Sequence, residues 1–305
     1  MHVLSIGNFD GVHEGHRALL ARARKVADAE TSGGQVTAVT FDPLPHALLL
    51  PGKSPALIQT LEGRVEALRA AGADNVVVLA VDQAFLNVAA DVFLADLLAK
   101  IGEQEQVGAI VEGTDFCFGK GRAGTIETLI EHGRKAGFAV ELLPTQRILL
   151  SGGEEVEARS STLRELLQAG RVEDAAKVLG RPVEVCGRVV KGDARGRDLG
   201  FPTANLDVGE CLLPGEGVYA GMAYLPDGTQ WPAAVSIGTK PTFTPTASVL
   251  EAHLIGWKGE IGEYDWVMKV ELACRLRGQE RFDGIEALKA KMEEDCAAVL
   301  ARSGS

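Results

Sequence analysis

The chain has 305 residues, 46 % hydrophobic and 24 % charged, which excludes a disordered chain and suits two globular domains of ordinary size. A formal net charge of −11 argues against a broad nucleic-acid surface, since neutralising a phosphate backbone takes an excess of Lys and Arg, but a nucleotide site needs only a few local donors. The five cysteines are scattered and form no C-x-x-C pair, so the pattern points to free thiols in a reducing cytoplasm rather than to disulfides or zinc. The opening MHVLSIGNFDG has no basic segment leading into a long apolar one, and no apolar run approaches the ~18 residues that span a bilayer. A cytoplasmic protein without membrane or nucleic-acid partners is expected; the oligomeric state is not readable.

In chain order, residues 2–6 read as a buried strand. An apolar stripe at helical spacing follows over 17–29 (Leu19, Leu20, Ala23, Val26, Ala27). Strand runs at 36–41, 76–81, 109–111 and 138–143 alternate with helical segments at 62–71, 89–101 and 126–136, two of them closed by Gly72 and Gly137. This alternation predicts βαβ units and a parallel sheet covered on both faces. Helices return at 162–169 and 172–179, the first with Thr162 as cap and Glu165 completing a capping box. After Gly180-Arg181-Pro182 the texture changes. Runs at 183–190, 217–225, 233–237, 249–255 and 266–276, separated by Gly, Pro and Asp, predict an antiparallel sheet or small barrel, and an amphipathic helix over 285–301 closes it. The boundary is expected near residue 182, giving domains 1–182 and 183–305.

The strongest local signal in the first half is G-N-F-D-G-V-H-E-G-H, residues 7–16. A strand ends at Ile6 and a helix is expected to begin near Val12. Gly7 and Gly11 let backbone approach a ligand closely. His13 and His16 are three apart and share one face of a first helical turn, beside free amides and the positive end of the helix dipole. There they can donate hydrogen bonds to a polyphosphate as charge develops on leaving pyrophosphate. The segment resembles the H-x-G-H motif of the nucleotidyltransferases, and the longer string resembles bacterial FAD synthetases. T-F-D-P-L-P (40–45), G-T-D-F-C-F-G-K-G-R-A-G (113–124) and S-S-T-L-R (160–164) resemble later motifs of that family. The resemblance implies a Rossmann-like nucleotidyltransferase domain. It implies nucleotide contacts from Gly7, Phe9, Asp10, Gly11, Gly15, Ser160, Ser161 and Thr162, catalytic roles for His13, His16 and Arg164, and flavin contacts from Asp42, Pro43, Asp115, Phe116 and Phe118. The chain departs from the family at Leu44, often His, at Cys117, usually basic, and at Arg159, usually Ser.

The second half carries G-R-V-V-K-G-D-A-R-G-R-D-L-G-F-P-T-A-N-L, residues 187–206. Glycines 192, 196 and 200 allow backbone amides to surround phosphates. The Thr203 hydroxyl and Asn205 amide are neutral oxygen ligands suited to a Mg²⁺ that keeps its waters and bridges nucleotide phosphates. The string resembles the riboflavin kinase signature, and P-G-E-G-V-Y-A-G (214–221), S-I-G-T-K-P-T-F (236–243) and L-E-A-H-L (250–254) follow in family order. The resemblance implies a small antiparallel riboflavin kinase-like barrel. Nucleotide contacts would come from Lys191, Gly192, Gly196, Gly200, Pro202, Thr203 and Asn205, with Thr203 and Asn205 as the Mg²⁺ ligands and Glu251 as catalytic base. Arg277 would either contact flavin or face solvent. Across the chain the resemblance implies phosphorylation of riboflavin to FMN and adenylylation of FMN to FAD, with ATP in both steps. Two alternatives stand beside it: a kinase with a weakened adenylyltransferase half, and a flavin-binding sensor without turnover.

Overall fold

A computed structural model describes residues 1–30, 33–102, 106–192, 196, 199–239, 248–259 and 264–303. By their contacts the residues group into two units, Met1–Ile148 with Glu157–Ser160, and Leu149–Val156 with Ser161–Ser305.

The first unit is built on β1 (His2–Ile6), β2 (Gln35–Asp42), β3 (Asn75–Ala80), β4 (Val107–Gly113) and β5 (Ala139–Leu143), all parallel, in the order β3-β2-β1-β4-β5. Helices α1 (Glu14–Glu30), α2 (Pro45–Leu49), α3 (Leu61–Ala70), α4 (Ala90–Gly102) and α5 (Ile126–Ala136) connect them. Every residue of β1 is buried, as expected for the central strand of a sheet covered on both faces. One core layer packs Leu20, Ala23 and Ala27 of α1 with Leu68 of α3 over β1 and β2. The other packs Phe93, Leu94 and Leu97 of α4 with Leu129 of α5 on Leu4 and Ile110. The chain leaves β1 toward β2 on one side, while β4 lies on the other. In open parallel sheets that switch point opens a crevice beyond the carboxyl ends of the strands. Here it falls beside Gly7, after β1, and Asp115, after β4.

The predicted stops hold physically: Gly137 ends α5 at φ 82° and Gly180 ends the later helix Val172–Leu179 at φ 70°, both left-handed. The predicted start of α1 near Val12 is corrected to Glu14, because Val12 is buried at φ 42° and cannot join a helix. Three short elements escape the sequence pattern: α2, and the strands β6 (Arg147–Leu149) and β7 (Glu155–Glu157), which pair as a ribbon.

The second unit is a closed barrel of β8 (Val183–Val190), β9 (Ala204–Asp207), β10 (Gly217–Tyr224), β11 (Gln230–Thr239), β12 (Ser248–Leu254) and β13 (Val267–Arg277), in the order β10-β11-β12-β9-β8-β13. Inward residues alternate along each strand: Val183, Val185 and Val189 of β8 are buried between the exposed Glu184, Cys186 and Arg188. Helices α6 (Ser160–Gln168) and α7 (Val172–Leu179) group with the barrel from Ser161 onward, although both precede residue 182. The Gly215 amide donates to the Leu167 carbonyl at 2.8 Å, and the Tyr219 hydroxyl donates to the Gly215 carbonyl. Because α6 begins at Ser160, Thr162 lies within its first turn rather than at its cap, which corrects the predicted capping box. Helix α8 (Ile285–Ser303) closes the unit. Among the described residues no helix is long and apolar enough to cross a membrane.

Candidate active sites

The loop after β1 is shaped from inside. Phe9 (φ 49°) and Val12 (φ 42°) are fully buried and left-handed, a conformation that costs a non-glycine residue about 1–3 kcal/mol and persists only when the surroundings impose it. Asp10, also buried, accepts the Ile58 amide at 3.0 and 3.2 Å. Of the residues expected at the nucleotide, Phe9 and Asp10 thus face the interior and set the loop, while Gly7 lines a cavity. The ring of Phe9 stands edge-on to His16 at 5.0 Å, and His16 stacks on His13 at 3.7 Å. The His13 carbonyl accepts the Arg17 amide, so the two imidazoles flank the first turn of α1, where amides and dipole favour anions.

Gly15 is explained by packing: a Cβ there would lie 2.9 Å from the Ala158 carbonyl oxygen. That approach brings residues 158–160 against the loop, and the Ser160 hydroxyl donates to the Asp10 carbonyl at 2.7 Å. Arg159 pairs with Asp115 at 2.9 Å and Glu157 at 2.6 Å. Ser161, Thr162 and Arg164 continue along α6 in the other unit, so their part in phosphate binding rests on sequence resemblance.

A cavity of about 450 Å³ opens at the switch point. Phe41, Phe85, Phe93, Phe116 and Phe118 wall it, with Gly7, Asn8 and Asp115 among its polar lining. Its size and its aromatic wall with few polar groups suit a flat heterocycle. Asp115, Phe116 and Phe118, the expected flavin contacts, line it. Asp42 and Pro43, joined by a cis peptide, are exposed and fall between the lining residues Phe41 and Pro45 without lining the cavity themselves. Cys117 lines it, whereas Leu44 is buried in the core.

Sequence reasoning missed two buried ionisable residues beside this cavity. Arg64 of α3 donates to the carbonyls of Asn8 (3.1 Å) and Phe41 (3.0 Å). Glu112 of β4 accepts the Ile6 amide at 2.5 Å, and burial drives its carboxyl well above the usual carboxylate range.

On the barrel, register assembles a second set. Ser236 of β11 faces Glu251 of β12, Glu251 faces Asn205 of β9, and Asn205 faces Val190 of β8. Their neighbours Val235, Ile237, Leu250, Ala252, Leu206 and Val189 are buried, so this row occupies the outer face. Opposed Cβ atoms in such a ladder stand about 5 Å apart, which makes the Glu251 carboxylate and Asn205 carboxamide neighbours. Gly192 lies against Asn205, where a Cβ would come within 2.1 Å of Nδ2. Gly196 lies against the Phe201 carbonyl, and Gly200 is left-handed at φ 88°. His253 Nδ1 donates to the Pro202 carbonyl at 2.8 Å and its ring meets Phe201 edge-on, pinning the strand entry that carries Thr203. Lys191 is exposed at the end of β8. Residues 193–195, 197 and 198 of the glycine loop, and 240–243 of the 236–243 motif, lie outside the described residues.

Arg277 does not face solvent. Its guanidinium grips Asp295 of α8 through Nε (3.1 Å) and Nη2 (2.7 Å) and donates to the Gly278 carbonyl. Its fork is thereby engaged in fastening the helix. Gln279, beyond it, donates to the Ser236 hydroxyl at 3.1 Å and the Ile237 carbonyl at 2.9 Å, reaching the same row as Glu251.

Residues 1–154 match the family model described as FAD synthetase, and residues 179–302 match that described as riboflavin kinase. The chain is 34 % identical to the bifunctional riboflavin kinase/FMN adenylyltransferase of Escherichia coli K12, over 96 % of this chain and 90 % of that protein. It is 35 % identical to the Pseudomonas fluorescens protein of the same description, over 98 % and 92 %. A crystal structure described as a macrolide-efflux protein from Streptococcus pneumoniae is similar along 96 % of this chain and 92 % of its own, with a TM-score of 0.83 and 27 % identity. With both family models matched in tandem and such relatives along nearly its whole length, the chain belongs to the bifunctional riboflavin kinase/FMN adenylyltransferase family.

Proposed function

We propose that this chain makes FAD from riboflavin in two steps, each using one ATP. The barrel end, 183–305, phosphorylates riboflavin to FMN and releases ADP. The parallel-sheet end, 1–182, joins FMN to AMP and releases pyrophosphate. The observation that carries this reading is the tandem match to FAD synthetase and riboflavin kinase models on two separately built sites.

In the kinase step Glu251 accepts the proton of the riboflavin 5′-hydroxyl as that oxygen attacks the γ-phosphate. Thr203 and Asn205 are the residues that would hold Mg²⁺. The fit is chemical: the neutral side-chain oxygens of half-buried Thr203, just before β9, and of buried Asn205, packed against Gly192, leave the remaining positions to phosphates and water. The bound ion would neutralise charge on the transferring phosphoryl group. The amides of Gly192, Gly196 and Gly200, with Lys191, cradle the nucleotide.

In the adenylyl step the FMN phosphate is itself the nucleophile. It is ionised at neutral pH, so positioning and charge stabilisation carry the rate rather than a strong base. The phenylalanine-walled cavity takes the isoalloxazine, and His13 and His16 donate to the triphosphate. The five cysteines are scattered with no C-x-x-C pair, which supports a cytoplasmic setting.

Two separate assays test this. Riboflavin with Mg-ATP is expected to give FMN and ADP, and FMN with Mg-ATP to give FAD and pyrophosphate in equal amounts. If FMN is consumed without FAD forming, the assignment of the first unit is wrong.

A further inference from the structure

Arg64 is an arginine in a core position. It is 3 % exposed, on the inner side of α3, one turn from the fully buried Leu68. Its two terminal nitrogens separate to two different walls of the cavity: Nη1 donates to the Asn8 carbonyl, on the loop after β1, and Nη2 to the Phe41 carbonyl, at the end of β2. Both Asn8 and Phe41 line the cavity. Nη2 also stands 3.8 Å from the half-exposed Asp42 carboxylate, and Thr40 adds a hydroxyl donor to the same Asn8 carbonyl at 3.2 Å. Burying a cation is costly unless it is well paired, and Nε of Arg64 finds no hydrogen-bond partner among the described residues. An apolar side chain would fill this site more cheaply, as Leu68 does beside it. What it could not do is bind two carbonyls at once. A rigid planar fork can, and a lysine ammonium on a flexible stem fixes them less well.

We infer that Arg64 is a positioning residue for adenylyl transfer: it ties the nucleotide loop at Asn8 to the flavin wall at Phe41 and so fixes the distance between the two reactants. Burial pulls the guanidinium below its ordinary pKa, while Asp10 and Asp42 push it back up; an arginine there stays charged. The inference rests on the function proposed above and deepens it. Substrates bound to either wall would still bind without the tie, but the FMN phosphate and the ATP α-phosphate would meet less often in line. Misplacement by an ångström can lower a rate about 100-fold without removing any contact to substrate.

The test uses the full chain as Arg64→Lys and Arg64→Met, assayed for FAD from FMN and, separately, for FMN from riboflavin. Arg64→Lys is expected to lower kcat for FAD formation about 10-fold or more, with KM for FMN and ATP within about 2-fold of the parent, and Arg64→Met to lower it further. FMN formation, carried by the other unit, is expected to stay at the parent rate in both, and the retained KM for FMN and ATP reports a folded first unit. A parental kcat in Arg64→Lys overturns the inference, as does a loss expressed wholly in KM. If Arg64→Met fails to fold, Arg64→Lys alone decides. Failure of the parent chain itself to make FAD would instead remove the proposed function.

Discussion

Glu251 and Asn205 stand opposite each other on the neighbouring antiparallel strands β12 and β9, side chains on the same outer face of the barrel. A single register therefore sets the proposed base beside a proposed metal ligand. Glu251→Gln keeps the shape and removes the proton acceptor. Its kcat for FMN formation should fall about 100-fold or more, with KM for riboflavin little changed. Asn205→Ala should instead raise the Mg²⁺ concentration needed for half-maximal rate. FAD formation from FMN should be unaffected in both. Steady-state kinetics on the two half-reactions separates these outcomes, and a Glu251→Gln enzyme with the parental kcat would remove Glu251 as the base.

Glu112 gives a pH dependence with a definite sign. Its carboxyl is fully buried, accepts the Ile6 amide and titrates well above the ordinary 4.5, chiefly through desolvation and further through the nearby Asp115 charge. The folded chain thus keeps a proton that the unfolded chain releases. Stability from this site is full below the unfolded value and falls as pH rises through the interval up to the folded one, by about 1.4 kcal/mol per pH unit. Glu112→Gln is neutral at every pH and can still accept from Ile6. Relative to the parent it should gain stability as pH rises above 4.5, seen as a growing difference in denaturant midpoint. A constant difference between pH 4.5 and 7 would show that Glu112 is ionised in the folded protein.

Asp295 and Arg277 form a largely buried pair that fastens α8 to the end of β13. Removing one partner leaves the other charge buried and unpaired, which costs about 3 kcal/mol or more. Asp295→Ala should lower the thermal midpoint of the barrel by several degrees, while adenylyl transfer measured below that midpoint stays at the parental rate. The double variant Asp295→Leu with Arg277→Met should recover much of the loss, because it removes both charges together.

Legibility from sequence followed the range of the signal. The sheet, its helices and their glycine stops were readable because periodicity is local: α5 and its stop at Gly137 match the predicted span residue for residue. The two glycine-rich loops were readable because glycine is required at particular points in them: Gly11 sits at φ 92°, and a Cβ on Gly192 would come within 2.1 Å of Asn205 Nδ2. The misses have one cause, that burial of a charged residue is decided by tertiary packing. In L-E-G-R-V-E-A-L-R-A nothing distinguishes Arg64, which lies inside, from Arg69, which is exposed. Glu112 near the end of β4 carries no local mark of burial, yet it is enclosed and accepts the amide of Ile6 at the end of β1. The sequence around Arg277 does not reveal its role because its partner Asp295 lies on a helix 18 residues further on. Phe41, Phe85 and Phe93 are separated in sequence and meet only around the cavity.

The most direct measurement is a single time course with purified chain, riboflavin and excess Mg-ATP, separating flavins by chromatography. FMN should appear first, FAD should follow as FMN passes through a maximum, and each FAD should account for one ADP and one pyrophosphate. A course that stops at FMN, or leaves riboflavin unchanged, would contradict the account of one chain carrying both steps.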